Sequence, residues 1–132
     1  VAVPILKIKN SYYCPGISQV DFPQGINYIS YDMVQLETYG YFEYQGSIKE
    51  KLIDISINVA KQLSFTAMSR IDFRIQDEIP YIEDIGVNPT ISETNGVNQI
   101  YCDYLSSDSW CVYAILVYAA LINYGLFEPS FH

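Results

Sequence analysis

The sequence predicts an α+β domain in which a small, mainly antiparallel sheet is packed by two helices. Two observations predict this class. Short segments alternate apolar and polar residues, as half-buried strands do, and two longer segments carry the apolar residues expected of packed helices. The 132 residues, half of them hydrophobic, suffice for one domain with a sizeable core. We therefore expect a single domain over residues 1–132.

The N-terminal third predicts two strands separated by loops. Residues 2–9, AVPILKIK, are β-branched and alternate near their end, which is typical of a strand. Residues 10–25 contain two stretches with Pro and Gly and are expected to be loop. Residues 26–33, INYISYDM, alternate and predict a second strand, whereas the aromatic residues 34–46 are expected to form an ordered loop.

A helix is predicted over residues 47–64. Ser47 and Glu50 match the S-x-x-E capping box that opens many helices. Spacings of three and four residues then place one apolar stripe on the helix. Its members are Ile48, Leu52, Ile55, Val59 and Leu63. This stripe predicts a packing element without chemistry of its own.

The remaining chain predicts a hairpin, a loop and a final helix. Residues 69–76 and 80–86 alternate around a short turn, and residues 88–98 are expected to be a polar loop. The last helix is predicted over roughly 108–124, with Gly125 as its stop. Its apolar run WCVYAILVYAALI has thirteen residues, fewer than the ~20 that cross a bilayer. We expect a buried helix, or else a face at a subunit or domain contact.

Composition narrows the classes of partner. The net charge of −8 argues against binding nucleic acid or an anionic membrane through a basic surface. Carboxylates can still bind a phosphate compound through Mg²⁺. Cys14, Cys102 and Cys111 are odd in number and lack zinc-type spacing, which favours reduced thiols. No basic start followed by an apolar core and cleavage site is visible, so we expect a cytoplasmic location.

The predicted hairpin carries charges where they can do chemistry. Asp72 projects from the first strand with Arg70 and Arg74, because residues two apart share a face. Its neighbours across the turn lie near Glu83 and Asp84. Two carboxylates held together repel unless a proton or a cation lies between them, and Mg²⁺ is such a cation. The alternative is an ordinary solvated face with alternating charges.

The sequence of this hairpin and the order of the predicted elements resemble those of a known family. SRIDFRIQDEIPYIEDIGVNPTIS, residues 69–92, is similar to the A-R-x-D-F strand, P-Y-x-x-E strand and N-P-N-P-x-x-S loop of D-alanine–D-alanine ligases. VPILKI resembles their strand after the ATP lid, and residues 26–44 resemble their loop around Y-D/E-A-K-Y. The resemblance implies the C-terminal part of an ATP-grasp domain and spans nearly the whole chain.

The resemblance also implies roles for individual residues. Asp72 and Asp84 would bind Mg²⁺ (or Mn²⁺), with Asp84 standing where the family has a bridging Glu, and Arg70 would stabilise the tetrahedral intermediate. Asn88, which with Pro89 matches the second N-P, would also contact the cofactor. Ser92 and Asn95 would lie in the substrate loop. ATP would be a substrate together with small, amino-acid-like compounds.

Several positions depart from the family pattern. Gly86 stands at the metal-binding Asn, and Glu83 is expected to point away from Asp72 if its strand is regular. Val34 stands at a phosphate-contacting Lys, and Gln35 at the Tyr that follows it. The chain also begins about where the family's ATP lid ends, so the substrate domain and the lid would belong to a longer parent chain.

Three functional hypotheses follow. The first is the C-terminal part of an ATP-dependent carboxylate–amine ligase that acts through an acyl phosphate. The resemblance allows a homodimer and implies a role in peptidoglycan synthesis. We expect this chain alone to be inactive. The second is a degenerate, non-catalytic ATP-grasp domain that makes protein contacts through its final helix. The third is an unrelated metal-binding module that needs only the carboxylate hairpin.

Overall fold

The computed structural model describes residues 1–36, 39–89, 96–105 and 111–128. Within these ranges it is an α+β fold with six strands and four helices, so the predicted class is confirmed. The strands are β1 (Ala2–Ile8), β2 (Ser11–Tyr13), β3 (Ser18–Asp21), β4 (Gly40–Glu43), β5 (Met68–Gln76) and β6 (Ile79–Gly86). The helices are α1 (Tyr31–Leu36), α2 (Lys49–Gln62), α3 (Gly96–Leu105) and α4 (Cys111–Asn123).

Every described strand pairing is antiparallel, and β1 lies at the centre of the sheet. The order is β4-β3-β1-β5-β6. β5 pairs along one side of β1, while β2 and β3 share the other side, β2 opposite its C-terminal half and β3 at Ala2. Short strands therefore complete the sheet where a single long strand would otherwise be needed.

Helices cover both faces of the sheet. On one face α2 packs Leu52 and Ala60 against β1 and β5, where Val3 is the register partner of Ile71. On the other face α3 and α4 pack against the neighbouring pair of Leu6 and Met68. Because successive strand residues point to opposite faces, these two cores use alternate positions of the same strands.

Two expectations for the first half of the chain are wrong. Residues 26–33 do not form a strand: the Ser30 hydroxyl accepts a hydrogen bond from the Met33 amide, which caps α1 at Tyr31. The expected loops at 10–25 and 34–46 contain β2, β3 and β4. These strands have only three or four residues, so their pairing partners rather than their own pattern define them.

The predicted capping box of α2 is also wrong, although the helix itself is confirmed. Ile48 occupies the N-cap without a side-chain capping bond. The Ser47 hydroxyl donates instead to the carboxylate of Glu78 at the tip of the β5–β6 turn. That long-range contact outcompetes the local one and links the start of α2 to the hairpin.

The C-terminal region agrees in part with expectation. β5 and β6 form the predicted hairpin. α4 lies within the helix predicted over roughly 108–124, and Gly125 follows it with a φ of 69°. The expected loop 88–98 is wrong at its end, because α3 begins at Gly96. No helix in the described ranges has the length and apolar character to cross a bilayer.

Candidate functional site

The alternation of β5 places Arg70 and Asp72 on the sheet face that α3 and α4 only partly cover. They pair with Pro4 and Ala2 of β1, two and four residues along from the covered pair of Leu6 and Met68. The Arg70 Nη2 atom lies 2.8 Å from Asp72 Oδ2, and the two side chains are 24% and 27% exposed. The result is a partly buried ion pair on this face of the sheet.

β6 brings the second predicted carboxylate to this pair. Asp84 is the register partner of Asp72, and Gly86 is the register partner of Arg70. Side chains directly opposite each other in an antiparallel pair have Cβ atoms about 5 Å apart. Arg70, Asp72 and Asp84 are therefore brought together, as the sequence predicts.

A β-bulge adds a third carboxylate to the same face. Asp72 pairs with Asp84 but Phe73 pairs with Ile82, so Glu83 is an extra residue on β6. Its Oε1 atom lies 2.8 Å from Nε of Arg74. The expectation that Glu83 points away from Asp72 is therefore wrong, because the strand is not regular at this residue.

The electrostatics of Asp72 show competing influences. Burial raises the pKa of this carboxyl above its ordinary value; the Arg70 guanidinium lowers it, and the negative charge of Asp84 raises it. Two buried polar atoms of the pair, Asp72 Oδ1 and Arg70 Nε, have no hydrogen-bond partner among the described residues. Arg70 thus donates to one oxygen of Asp72, and the other oxygen receives no hydrogen bond from the described residues.

An open cleft of about 1370 Å³ lies against this face. Arg70, Asp72, Arg74 and Glu83 contribute its charged floor. Its other walls come from the loop before α1, from α1 itself, from the residues around β3 and β4 and from the start of α3. They include Phe22, Tyr28, Ile29, Val34, Tyr39, Tyr41, Gly96 and Val97. A charged floor thus faces walls that are largely aromatic and aliphatic.

The remaining predicted site residues are not brought into this cleft by the described structure. Asn88 lies two residues beyond β6, is exposed and does not line the cleft, and Asp84 is also exposed outside its lining. Ser92 and Asn95 lie outside the described residues. Val34, at the position of a phosphate-contacting Lys in the family, does line the cleft and offers it only an apolar side chain.

Tyr41 is a cleft residue that the sequence reasoning missed. Its ring packs so closely on Gly96 that a Cβ at that glycine would lie 2.5 Å from it, and its ring centroid is 5.5 Å from that of Tyr39. Burial raises the pKa of the Tyr41 hydroxyl, on which Arg70 and Asp72 also act. The alternation of Tyr39 and Tyr41 was the available signal, but β4 was not predicted.

The donor set limits what metal the site can hold. In the described part of the chain, no group of three or more His, Cys, Asp or Glu side chains is arranged around a metal position. Asp72 and Asp84 are two hard oxygen donors, and Gly86 opposite Arg70 has no side chain to add. Mg²⁺ commonly takes one or two carboxylates and completes its shell with water and phosphate. These two residues fit that sparse requirement.

Comparison with known proteins adds no family to this description. No protein-family model matches the sequence, and no curated protein matches it. The fold and the site therefore define the class on their own terms: an α+β domain with an antiparallel sheet whose exposed floor holds an Arg–Asp pair and an opposing Asp.

Proposed function

We propose that this chain is the C-terminal, metal-binding part of an ATP-grasp ligase that joins a carboxylate to an amine, similar to D-alanine–D-alanine ligases. The observation that carries the proposal is the register of the hairpin. It sets Asp84 opposite Asp72 with Arg70 paired to Asp72 in the floor of a large cleft. These are the three residues to which the resemblance assigns the chemistry.

The proposed roles follow from charge and position. Asp72 and Asp84 hold a divalent cation, which when bound neutralises and orients nucleotide phosphates. Asp72 Oδ1, a buried acceptor with no donor among the described residues, is the oxygen available for this purpose. Arg70 lowers the pKa of its neighbour Asp72, against the larger effect of burial, and presents a fixed positive charge to the cleft. Such a charge stabilises an oxyanion that develops during acyl transfer.

The reaction in the parent enzyme is proposed to proceed in two steps. A substrate carboxylate attacks the γ-phosphorus of ATP, forming an acyl phosphate and releasing ADP. An amine then attacks the acyl carbon, and phosphate leaves as the amide bond forms. Arg70 acts on the negatively charged tetrahedral intermediate of the second step. We expect no ligase activity from these 132 residues alone, and ATP-dependent peptide formation by them would contradict that expectation.

Binding of Mn²⁺ tests the proposed metal site directly. Free Mn²⁺ is measured by electron paramagnetic resonance while the chain is titrated, with and without ATP. Asp72→Asn and Asp84→Asn should each weaken binding by at least about tenfold, because each removes a charged ligand. Asp54→Asn is the matched control: Asp54 is exposed on α2, which packs on the opposite face of the sheet.

Two outcomes would contradict the proposed site. The first is a wild-type chain that binds no Mn²⁺ in the presence of ATP. The second is a loss of affinity in Asp54→Asn as large as in Asp72→Asn, since that would show only a general effect of net charge. Circular dichroism of each variant establishes that the sheet is intact.

The second candidate function, a degenerate domain without catalysis, is favoured by Val34 and Gly86. Val34 gives the cleft no positive charge, and Gly86 gives it no ligand. Among the described residues, a Cβ at Gly86 would meet only the Arg70 carbonyl oxygen, at 3.7 Å, so the strand has room for a side chain. Gly86→Asn should therefore tighten Mn²⁺ binding if the site is a working one with a missing ligand. No gain from Gly86→Asn, together with no binding by wild type, favours the degenerate domain.

A further inference from the structure

The positive charge of the cleft comes from two arginines of β5. The chain has seven basic residues, all within the described ranges, and of these Arg70 and Arg74 line the cleft while the lysines lie elsewhere. Val34, at the position of a phosphate-contacting Lys in the family, gives the cleft no charge. Because the net charge of the chain is −8, an anion that enters the cleft depends on these two guanidinium groups to offset repulsion.

The two arginines differ in how far they are open to a ligand. Arg70 donates through Nη2 to the partly buried Asp72, and its side chain is 24% exposed. The side chain of Arg74 is 62% exposed, and its Nε donates to Oε1 of Glu83 at 2.8 Å. A guanidinium has five N–H donors, of which this bond uses one. Arg74 is therefore the more accessible of the two positive charges in the cleft.

The β-bulge of β6 restrains the Arg74 side chain beside the cleft. Glu83 is the extra residue that the bulge adds, and its carboxylate meets Arg74 on the cleft face. Bulges are frequent next to active sites, where they redirect a side chain. An exposed ion pair of this kind contributes little to stability. Its consequence is geometric, because it limits the positions that a long and flexible side chain can take.

Arg74 also lies one step along the strand from the proposed metal ligands. It shares the cleft face with Asp72, and alternate residues of a strand are about 7 Å apart. Mg²⁺ joins carboxylates to the phosphates of a nucleotide, so a cation at Asp72 and Asp84 brings a phosphate chain to this part of the sheet. The guanidinium of Arg74 is then placed for a second phosphate of the same chain, which its planar, paired donors match.

From this geometry we infer that Arg74 is a phosphate-binding residue for a nucleoside triphosphate and supplies the positive charge that Val34 does not. The inference rests on the proposed function, because that function brings the triphosphate to Asp72 and Asp84. It adds a residue to which the resemblance gives no role. Since Arg74 acts on the phosphate chain, its contribution is the same for ATP and for inorganic tripolyphosphate.

Isothermal titration calorimetry with Mn²⁺–ATP and with Mn²⁺–tripolyphosphate tests the inference. Arg74→Met should weaken the binding of both complexes at least about tenfold, because it removes a hydrogen bond between charged groups. Arg74→Lys keeps the charge but loses the paired donors, so its affinity should lie between those of wild type and Arg74→Met. Lys61→Met is the matched control: it removes the same charge from an exposed position on α2 and should leave both affinities unchanged.

A second measurement separates phosphate binding from a structural role of Arg74. The affinity for Mn²⁺ alone, followed by electron paramagnetic resonance, should not fall in Arg74→Met, because the variant keeps both carboxylates and removes a nearby positive charge. A fall in that affinity would show that Arg74 supports the site only through its structure, which overturns the inference.

The remaining outcomes distinguish this inference from the proposed function. Equal affinity of wild type and Arg74→Met for Mn²⁺–tripolyphosphate overturns the role of Arg74 and leaves the proposed function standing. A loss in Lys61→Met as large as that in Arg74→Met overturns it too, since net charge alone would then explain the effect. A wild-type chain that binds neither complex contradicts the proposed function itself, and the role of Arg74 falls with it.

Discussion

The two faces of the sheet are built from alternate residues of the same strands, yet they differ in what they do. On the α2 face, Ile71 and Phe73 of β5 are buried under the helix. On the opposite face, Arg70 and Asp72 of the same strand form the floor of an open cleft. Between residues 70 and 73, β5 thus contributes Ile71 and Phe73 to the hydrophobic core, and Arg70 and Asp72 to the candidate chemistry.

The fold thereby assigns stability and binding to opposite faces of the sheet. A buried apolar face tolerates little change, because its interior is close-packed and every lost methylene is felt. The cleft face is stabilised by the core on the opposite face of the same strands, so it can carry charges that a core excludes. Substitutions at adjacent positions of β5 should therefore have different consequences for stability.

The largest effect is expected at Phe73. Phe73→Ala removes a fully buried ring from the α2 face and leaves a cavity, which typically costs about 3–5 kcal/mol of the free energy of unfolding. The measurement is the urea midpoint and slope followed by circular dichroism. Asp72→Asn, one residue away on the cleft face, is the control and should cost less than about 1 kcal/mol. Equal costs at the two positions would remove the distinction between the faces.

The next effect concerns the ion pair on the cleft face. Arg70→Met leaves Asp72 half-buried beside Asp84, without the charge that lowers its pKa. We expect a cost of about 1.5–3 kcal/mol at neutral pH, the value of a hydrogen bond to a charged group. The pKa of Asp72, already raised by burial, rises further in this variant.

The pH dependence of Arg70→Met follows from the sign of that change. A carboxyl whose pKa is higher in the folded than in the unfolded chain loses stability as the pH rises through that interval. The cost of Arg70→Met should therefore diminish as the pH falls toward 3.8, the ordinary value. Urea unfolding at several pH values measures it, and Asp72→Asn in the same background should abolish the dependence. A cost that is constant with pH would argue against an ionised Asp72.

Local pattern explains what the sequence predicts correctly. β1, α2 and the β5–β6 hairpin are long enough for their periodicity to define them, and the hairpin register then places Asp84 opposite Asp72. The strands that were missed have three or four residues each. They form because β1 and β3 supply hydrogen-bonding partners from elsewhere in the chain, and local sequence periodicity does not encode such long-range pairing.

The candidate site is predictable to the same extent. The alternation of β5 predicts the shared face of Arg70 and Asp72. The bulge at Glu83 depends on the register of β6 against β5, which the two-residue periodicity of a strand does not specify. Tyr41 depends on β4 and on the close approach of Gly96. The cleft walls come from separate segments, so their assembly is a tertiary property and not a motif.

A smaller effect is expected where α4 is fastened to the sheet. The Asn123 side chain accepts a hydrogen bond from the Lys9 amide at 2.6 Å and donates one to the Lys7 carbonyl at 3.1 Å. Because both bonds are exposed, Asn123→Ala should cost only about 1 kcal/mol, or roughly 4 °C in melting temperature. Asn123→Asp keeps the acceptor and loses the donor, so it should retain part of the stability. A melting temperature unchanged by Asn123→Ala would show that apolar packing alone holds α4 on this face.

The smallest effect is expected at the tip of the hairpin, which lies beyond the cover of either face. Asp77 and Glu78 both have positive φ, 51° and 61°, in the two-residue turn closed by Gln76 and Ile79. Hairpin turns of this kind favour Gly, whereas other residues in the left-handed region cost about 1 kcal/mol or more. Glu78→Gly should therefore raise the free energy of unfolding by about 0.5 kcal/mol, after the entropic cost of glycine is offset.

Two controls separate the causes at this turn. Glu78→Gly also removes the contact with Ser47, so Ser47→Ala measures that contact alone. Gln76→Gly places glycine in extended strand, where it should destabilise by about 0.5–1 kcal/mol. Opposite signs for glycine at 76 and 78, measured by urea unfolding, would show that backbone conformation governs the tip. A loss in Glu78→Gly as large as that in Ser47→Ala would instead show that the link to α2 outweighs the strained turn.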